Sequence, residues 1–528
     1  MSRDMIPLPD HVTENLILTR SPQWFTRLLK GRMALWLILL LALATRLYSV
    51  NAPLTDGGQE RQTQVAMIAR NLFRDNLNVF YPRIDIFAPE PGYVLLEFPL
   101  QPALMAIVYY FVGVHDIVGR LVTIMFSMAS IVVMYLLSKH FLPERGALLA
   151  TAIYALTPMS IYFGRAVFPE ALLLFFSLGA LHFLLCWSQC HKTRYYVLSL
   201  IFAAIAFLVK APPGLVMILP LGAVWWVGWR SASLRRADFY AYFGLAIMPI
   251  ALWALWSSHI GPSDSGWNPY QVSAIGRWGI PNAWFSPTFY SWVFTSLVSV
   301  TLTPLVVLLG IVGLVETKQH RLRIVIYAWV IAMIVFVFGT PGAQATHWNY
   351  QVPLIPVGAL LAGFGICGLF KSRRAKVVWE GFIRRRPIAV GVIAMVLLGY
   401  GVIYAVVLRD AYDVGRRVPV AIEVGQIVQK EIPNEGFILL IQPYMVATTQ
   451  TYYMDRKVHV SDAGDPIPVS IANLEKWRAN GAIGVVVVDT PYGSGTELVR
   501  SDPELLAYLR ANYRTVIETE HYMIYSLR

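Results

Sequence analysis

The stretch from Ala171 to Trp187 reads ALLLFFSLGALHFLLCW and contains no Asp, Glu, Lys or Arg. Runs of about 17 to 25 apolar residues are what a helix needs to cross the hydrocarbon core of a bilayer. Similar runs extend from Met33 to Tyr48, from Leu121 to Leu137 and from Pro387 to Leu408. The sequence therefore predicts a multi-span α-helical membrane protein.

The composition of the whole chain supports this prediction. Of 528 residues, 56% are hydrophobic and 14% are charged, whereas soluble domains carry about 25% charged residues. The net charge of +12 could indicate a nucleic-acid partner, but the basic residues cluster in short loops between apolar runs. Such loops mark the cytoplasmic side of a membrane protein. We therefore interpret the charge as a sign of topology and expect no nucleic-acid partner.

Twelve apolar runs can be read along the chain, but the basic loops fit only eleven spans. Strongly basic and weakly charged loops alternate consistently if the run at 99–114, which begins with Pro99 and Pro102, lies in the interface or re-enters instead of spanning. The N-terminal segment 1–32 is then cytoplasmic, 33–408 is the transmembrane domain, and the tail 409–528 lies outside. The twelve runs are 33–50, 99–114, 117–138, 146–164, 168–188, 195–209, 213–229, 240–257, 289–315, 323–339, 352–370 and 387–408.

The tail is predicted to be an α/β domain on the extracytoplasmic side. Its β-branched and aromatic runs alternate with segments of helical period. The predicted strands are Phe437–Gln442, Lys457–Ser461, Ile483–Asp489 and Val516–Leu527, and the predicted helices are 418–432, 471–480 and 498–512.

The eleven-span topology places ionisable side chains from several loops on the outer face. Charged groups at a membrane rim are costly and indicate a functional site. Asp56 has a simpler alternative role as the N-cap of the amphipathic helix that follows it. The residues that this topology places on the outer face are Asp56, Glu60, Glu97, Arg165, Glu170, Lys210, His259, Arg277, His347 and Tyr350.

The cysteines do not indicate a disulfide framework. Cys186, Cys190 and Cys367 lie in or beside apolar segments near predicted cytoplasmic ends. Cys186 and Cys190 share a helix face beside His191, but this spacing fits no structural zinc pattern. We interpret them as packing residues.

In order along the chain, these motifs resemble the integral-membrane (GT-C) glycosyltransferases over roughly residues 30 to 410. The nearest group is that of the bacterial protein O-mannosyltransferases and lipid A aminoarabinose transferases, and the tail resembles the extracytoplasmic domain of several bacterial members. The matching pieces are Asp56 after the first span, Ile68-Ala69-Arg70-Asn71-Leu72, Glu97-Phe98-Pro99-Leu100, Gly119-Arg120, Arg165 with Glu170, Lys210-Ala211-Pro212, and His347-Trp348-Asn349-Tyr350.

The resemblance implies transfer of a hexose or pentose from a polyprenyl-phosphate-linked donor to a glycan, lipid or protein acceptor outside the bacterial inner membrane. Asp56 would be the general base, because the acceptor must lose a proton as it attacks the anomeric carbon. Glu170 would position the acceptor or the donor sugar. The leaving phosphate gathers negative charge, which Arg120, Arg165 and Lys210 would face.

The remaining candidates would also bind substrate by resemblance. Tyr350 matches a substrate-contacting tyrosine, while His347 is equally ordinary as a residue of the interfacial aromatic belt. The aminoarabinose transferases have a glutamate–lysine pair where this chain has Glu97-Phe98, so an assignment to lipid A modification is weakened. Glu97 with His259 or His347 offers oxygen and imidazole ligands for a divalent metal ion, although no ligand spacing establishes one.

Two other function classes remain open. A transporter or lipid flippase usually shows internal repeats and broken helices near the midplane, whereas the charged residues here fall at span ends and no half-to-half repeat is visible. An O-antigen ligase or polymerase would be expected to carry its dominant outer loop late in the chain. In this chain the acid-bearing loop follows the first span.

Overall fold

The computed structural model describes residues 31–94, 97–260, 284–371, 420–442, 447–461, 470–490 and 493–528, with a few positions between 399 and 412. The predicted N-terminal segment and last span therefore lie almost wholly outside the described residues. The chain divides into two compact units. Unit 1 comprises residues 1–50, 123–257 and 270–408, and unit 2 comprises residues 51–122, 258–269 and 409–528.

Unit 1 is helical throughout its described part. Short 3₁₀ segments at Arg230–Arg235, Thr317–Gln319 and Trp348–Leu354 and a π segment at Ser296–Thr301 join its helices. The first part of α4, residues 116–122, and the end of α11, residues 258–260, belong to unit 2. The helices are α1 Gly31–Leu47, α4 Asp116–Ser138, α5 Glu144–Leu156, α6 Pro158–Phe163, α7 Glu170–Cys190, α8 Thr193–Val209, α9 Ala211–Leu215, α10 Ile218–Trp229, α11 Ala237–Ile260, α12 Pro287–Thr295, α13 Pro304–Glu316, α14 Arg323–Gly339, α15 Pro341–Thr346 and α16 Ile355–Lys371.

Five helical stretches among the described residues are long and apolar enough to cross a bilayer. A sixth would be the bent pair Pro287–Thr301 and Pro304–Gln319, and three apolar helices of 10–17 residues are shorter than this test requires. The membrane-protein prediction is confirmed by these helices, while the eleven-span count stays a prediction. The five stretches are Asp116–Ser138, Glu170–Cys190, Ala211–Arg235, Ala237–Ile260 and Trp348–Phe370.

Two runs that the sequence predicts as single spans are interrupted in the structure. The run at 289–315 bends by 99° at a break, where Thr303 takes a φ of 71° immediately before Pro304. The run at 146–164 breaks at Thr157, which is extended and precedes Pro158. A residue before proline is driven out of the helical region, so continuous hydropathy does not ensure a continuous helix.

Close helix packing in unit 1 depends on small residues. A Cβ added to Gly313 of α13 would lie 1.8 Å from the carbonyl oxygen of Leu361, and one added to Gly365 of α16 would lie 2.1 Å from that of Leu309. Small residues at matching positions allow two membrane helices to approach backbone to backbone. Helices α13 and α16 pack in this way.

Unit 2 contains an α/β fold. Its sheet has the order β2-β1-β3-β6-β5, with β2, β1 and β3 parallel, β6 antiparallel to both neighbours, and β4 paired to β3. The α/β prediction for the tail thus agrees with the structure. The elements are α2 Gln59–Arg74, α3 Leu100–Val112, α17 Ala421–Glu431, β1 Phe437–Ile441, α18 Ala447–Met454, β2 Lys457–Ser461, α19 Ile471–Ala479, β3 Ala482–Thr490, β4 Gly493–Ser494, α20 Gly495–Arg500, α21 Pro503–Asn512, β5 Arg514–Glu518 and β6 Tyr522–Ser526.

Three details of the tail differ from the sequence prediction. The predicted strand Val516–Leu527 is a hairpin of β5 and β6, because Thr519 turns the chain by hydrogen bonding with Tyr522. The predicted helix 498–512 is two helices, since Asp502 caps α21 by accepting from the backbone N–H of Leu505 at 3.0 Å. Helix α18 was not predicted.

The sheet buries apolar side chains on both faces. In β1, Phe437, Leu439 and Ile441 pack into one core, while Ile438 and Leu440 pack into the other. This division follows the alternation of side chains along a strand.

The loop after α2 belongs to the same compact unit as the tail. The backbone N–H of Ala88 donates to the Val458 carbonyl at 3.0 Å, and that of Val458 donates to the Asp85 carbonyl at 2.6 Å. The segment around Asp85 therefore extends the sheet alongside β2. The sequence-based division placed residues 409–528 in a domain of their own, whereas in the structure residues 51–122 pack with them.

Candidate active site

Asp56 is a buried, ion-paired carboxylate in unit 2. The residue is 1% exposed, and its Oδ2 accepts from Arg120 Nη2 at 3.2 Å while its Oδ1 accepts from the Gln62 amide. Asp56 is not the helix N-cap, because Gly58 occupies that position with a φ of 64°. Glycine suits this left-handed conformation. The structure thus removes the capping alternative and leaves Asp56 as a buried charge.

Arg120 is fixed by more than Asp56. Near the start of α4, its guanidinium also donates to the carbonyls of Ala52 and Pro53, and the residue is fully buried. Arginine offers five N–H donors in a rigid fork. The side chain therefore holds the backbone just before Asp56 as well as the carboxylate itself.

Glu97 forms an ion pair with Arg61 at the start of α2, and each side chain is about one-fifth exposed. Among the described residues, Glu97 belongs to no group of His, Cys, Asp or Glu side chains with metal-ligand spacing. The metal site considered for Glu97 with His259 or His347 therefore gains no support from the described residues. Phe98 follows Glu97, and a cation that pairs with this carboxylate is instead supplied by α2, at Arg61.

The Ile68–Leu72 motif is buried and serves unit 2 as a structural clamp. Arg70 donates to Asp85 Oδ2 at 3.2 Å and to the Tyr452 carbonyl at 2.8 Å, and it pairs with Asp455 at 2.9 Å. Asn71 donates to Asp85 Oδ1 at 3.0 Å. These contacts connect α2, the loop at Asp85 and α18.

Two phenols of α18 also hold an acidic residue. Tyr452 and Tyr453 donate to the two carboxylate oxygens of Asp116 at 2.7 and 2.9 Å. Burial, and after it the charge of Asp116, raises the pKa of both phenols. Both hydroxyls therefore remain protonated donors at neutral pH.

Glu170 is the centre of a polar cluster in unit 1. It is the first residue of α7 and is fully buried. Its Oε1 accepts from Lys210 Nζ and, at 2.6 Å, from Asn349 Nδ2. Lys210 Nζ also lies 4.4 Å from the centre of the Tyr350 ring, within the range of a cation–π interaction.

The local sequence explains why these residues converge. Lys210 is extended between α8 and α9, where Pro212 and Pro213 begin a new helical turn, and proline is tolerated in a first turn because those N–H groups have no helical partner. Asn349 and Tyr350 lie in the 3₁₀ segment before α16. Three separate chain segments thus meet at Glu170.

Glu170 also lines a small buried cavity. Within the described part of the chain, Oε2 is buried and has no hydrogen-bond partner. The cavity is lined by Glu170 together with Ser127, Ser160, Tyr154 and Gly164, and its scale is that of a single water molecule. Buried acceptors usually have a partner, so this oxygen is available to a hydroxyl group.

Arg165 and His347 make further contacts within unit 1. Arg165 is fully buried and donates to the carbonyls of Tyr48 and Ser49 at 3.1 and 2.8 Å, which fixes the chain just after α1. His347 is exposed, with its ring centre 6.1 Å from that of Tyr350.

Sequence reasoning missed Asn349 as a partner of Glu170 and missed Arg46 altogether. Arg46 is fully buried in unit 1 and donates to Ser127 Oγ at 2.8 Å and to the carbonyls of Ala155 and Ser160 at 3.1 and 2.9 Å. Arg46 could have been recognised as a charged residue inside the apolar run 33–50, because such residues usually face the interior of a helix bundle.

Comparison with known proteins gives the same picture of the fold. The family model described as dolichyl-phosphate-mannose-protein mannosyltransferase matches residues 96–256. No curated protein sequence matches the chain. The solved structure of ArnT from Cupriavidus metallidurans bound to undecaprenyl phosphate superposes with a TM-score of 0.63 at 17% identity, covering 93% of this chain and 98% of that one.

Two further structures are similar. The Archaeoglobus fulgidus oligosaccharyltransferase has a TM-score of 0.58 at 12% identity, covering 88% of this chain and 70% of that one. The mycobacterial arabinofuranosyltransferase AftD has a TM-score of 0.53 at 14% identity, covering 94% of this chain and 40% of that one. The family and these structures are all GT-C glycosyltransferases, so the resemblance seen in the sequence is confirmed.

Proposed function

Because the chain has the fold of the GT-C glycosyltransferases, we propose that it transfers a sugar from a polyprenyl-phosphate-linked donor to an acceptor in the cell envelope. The reaction would take place at the extracytoplasmic face of a bacterial inner membrane, with the tail domain in the periplasm. The ArnT structure is bound to undecaprenyl phosphate, which is the lipid phosphate part of a polyprenyl-phosphate-linked donor. The acceptor would be a glycan, a lipid or a protein.

One observation supports the proposal most strongly: each unit holds a buried carboxylate paired to a cation at residues that match the family pattern. These pairs are Asp56 with Arg120 and Glu170 with Lys210. Removing such charges from water costs several kcal/mol per ion. Buried charged groups are frequent in catalytic sites. Unlike the structural pair of Arg70 and Asp85, these two pairs lie at residues to which the resemblance assigns roles in the reaction.

Asp56 is proposed as the general base. The acceptor hydroxyl or amine attacks the anomeric carbon, its proton passes to the carboxylate, and the bond between that carbon and the phosphate oxygen breaks. Gln62 and Arg120 hold the Asp56 carboxylate in a fixed orientation. Arg120 would act as a positioning residue as well as a positive charge near the reacting groups.

Glu170 is proposed to position a sugar hydroxyl through Oε2. Its other oxygen is already committed to Lys210 and Asn349, so the orientation of the carboxylate is fixed. Lys210 and Arg165 would supply positive potential toward the leaving phosphate. Tyr350, which packs against Lys210, and the exposed His347 would contact substrate, and Glu97 would do so from the start of α3.

The test is the Asp56→Asn variant, purified and assayed with polyprenyl-phosphate-linked hexoses and pentoses radiolabelled in the sugar. Membranes from a deletion strain would supply the acceptor. We expect transfer to fall by about 10²–10⁴-fold, the range that a general base contributes. Binding of polyprenyl phosphate should persist. Glu90→Gln, at an exposed carboxylate of the same unit, is the matched control and should leave transfer unchanged.

Two results would refute the proposal. Normal transfer by Asp56→Asn would exclude Asp56 as the base. Movement of the labelled donor between leaflets by the wild-type protein, with no sugar transferred to any acceptor, would instead assign the chain to the transporters or flippases.

A further inference from the structure

A second polar cluster lies in unit 1, along the second half of α7, away from Glu170. His182 and Cys186 of α7 meet His140, which follows the end of α4. His140 Nε2 is 3.1 Å from His182 Nδ1 and 3.8 Å from Cys186 Sγ. Among the described residues, this is the group of histidine, cysteine and acidic side chains whose ligand atoms all lie within 4.8 Å of one another.

The backbone holds these three side chains in place. His182 and Cys186 are four residues apart on α7, so they lie one above the other on one helix face. His140 lies in the tight turn that ends α4, where the backbone N–H of Leu142 donates to the Ser138 carbonyl at 2.9 Å. The cluster therefore joins two helices that are separate in the sequence.

The distances suit a tetrahedral metal ion. Zinc binds nitrogen at about 2.0–2.1 Å and thiolate sulfur at about 2.3 Å, so neighbouring ligand atoms are separated by about 3.3 Å for two nitrogens and about 3.6 Å for nitrogen and sulfur. The observed 3.1 and 3.8 Å differ from these by about 0.2 Å. His182 presents Nδ1 to His140 and Nε2, at 3.7 Å, to Cys186. A rotation of the His182 ring that turns one nitrogen toward both partners would complete the geometry.

Gln189 provides the outer contact that metal-binding histidines usually have. Its amide nitrogen is placed 3.2 Å from His140 Nδ1, and the amide oxygen and nitrogen can be exchanged without changing the shape of the side chain. With the oxygen toward the ring, Gln189 accepts a hydrogen bond from Nδ1–H. That tautomer leaves the lone pair of Nε2 directed toward His182 and Cys186, as a ligand requires.

From this arrangement we propose that His140, His182 and Cys186 bind a divalent transition metal ion of the zinc class. Two imidazoles and one thiolate are the ligands that Zn²⁺ and Co²⁺ prefer over the oxygen-seeking Mg²⁺ and Ca²⁺. A water molecule or an added group would take the fourth position. The ion pins the turn after α4 to α7.

The role of this metal is structural. His182 is twelve residues after Glu170 on the same helix, a distance of about 18 Å at 1.5 Å per residue. An ion at His182 is therefore too far from Glu170 to take part in chemistry there. The ion stabilises the C-terminal half of α7, the helix whose first residue is Glu170.

The experiment loads the purified full-length protein, stripped with chelator and kept reduced, with Co²⁺ alone. We expect about one Co²⁺ per chain and a thiolate-to-cobalt absorption band in the near ultraviolet. Cys186→Ser should lose the band and weaken binding by at least about 100-fold. Gln189→Leu, which removes the outer contact, should weaken it by about 10–100-fold while retaining the band.

Cys190→Ser is the matched control, because Cys190 is an exposed thiol one turn further along the same helix and lies outside the cluster. It should bind Co²⁺ as the wild type does. Absence of the charge-transfer band in the wild type, or an unchanged band in Cys186→Ser, would overturn the proposal. The two histidines would then be a hydrogen-bonded pair, which the 3.1 Å separation also permits.

Discussion

Lys210 and Glu170 show how a single pair of residues couples stability to chemistry. The Glu170 side chain is fully buried and that of Lys210 is 10% exposed. Removing one partner from such a pair costs about 3–5 kcal/mol, because the other charge is left uncompensated, whereas replacing both partners by neutral groups is often tolerated. Replacing both Lys210 and Glu170 by neutral residues should therefore preserve stability while removing the charges that the reaction needs.

We expect Lys210→Met to lower the stability of the detergent-solubilised protein by about 3–5 kcal/mol. The double variant Lys210→Met with Glu170→Gln should recover most of that loss while remaining inactive, since the positioned carboxylate is gone. Thermal denaturation followed by size-exclusion chromatography measures the first effect, and sugar transfer measures the second. A double variant as unstable as Lys210→Met would contradict the ion-pair argument.

The sequence could identify Glu170 and Lys210 as candidates because a charge in an apolar context is conspicuous. It could not show that Asn349, 179 residues from Glu170, donates to the same oxygen. An amide in a run of aromatic and polar residues carries no comparable signal. Likewise, the ion pair between Arg61 and Glu97 depends on how a loop returns to α2, and residue spacing does not specify this.

At the level of elements, α2 contains two arginines whose comparison separates the effect of burial from the effect of charge. Arg70 and Arg74 are one turn apart and both pair with Asp455, at 2.9 and 2.8 Å. Their side chains are 5% and 46% exposed. Arg70 additionally holds Asp85 at the edge of the sheet. The two residues thus share chemistry and partner but differ in solvent exposure.

Arg70→Met should destabilise unit 2 by about 3–5 kcal/mol, because Asp85 is left buried without its cation. The matched variant Arg74→Met should cost about 1 kcal/mol or less, the usual value of an exposed pair. Hydrogen exchange of β1 and β2 would measure the difference through increased local opening. Equal effects of the two substitutions would show that Arg70 is not the clamp that its contacts indicate.

Hydropathy predicted most helices of the transmembrane domain because it reports burial in lipid or protein. For example, the run at 323–339 coincides with α14. Hydropathy did not predict the change of chain direction inside the apolar run at Thr303-Pro304, because the residues on both sides of the bend are equally hydrophobic. The hairpin of β5 and β6 was missed for the same reason, since its turn at Thr519 is short and the flanking residues remain strand-like.

For the whole molecule, the packing within unit 2 constrains the membrane topology. Thr448 donates to Glu60 at 3.1 Å, and Tyr453 donates to Asp116, the first residue of α4, at 2.9 Å. Segments in direct contact through such bonds lie on the same side of a bilayer. Residues 60 and 116 therefore both lie on the side of the tail, which disagrees with a run at 99–114 that spans. An even number of crossings between residue 116 and the tail follows as well, in agreement with the ten spans that the sequence predicts there.

Impermeant thiol labelling in whole cells tests this topology with single cysteines in a background lacking the three native ones. Glu90→Cys in the first loop and Glu435→Cys in the tail replace exposed side chains, and we expect both to react from outside. Lys192→Cys, in an exposed basic loop predicted to be cytoplasmic, should react only after the membrane is permeabilised. Reaction of Glu90→Cys without Glu435→Cys would mean an odd number of crossings, and the packing of the first loop against the tail could not then exist in the cell. Reaction of Lys192→Cys from outside, with both others protected, would preserve that packing but reverse the orientation and move the proposed reaction to the cytoplasmic face.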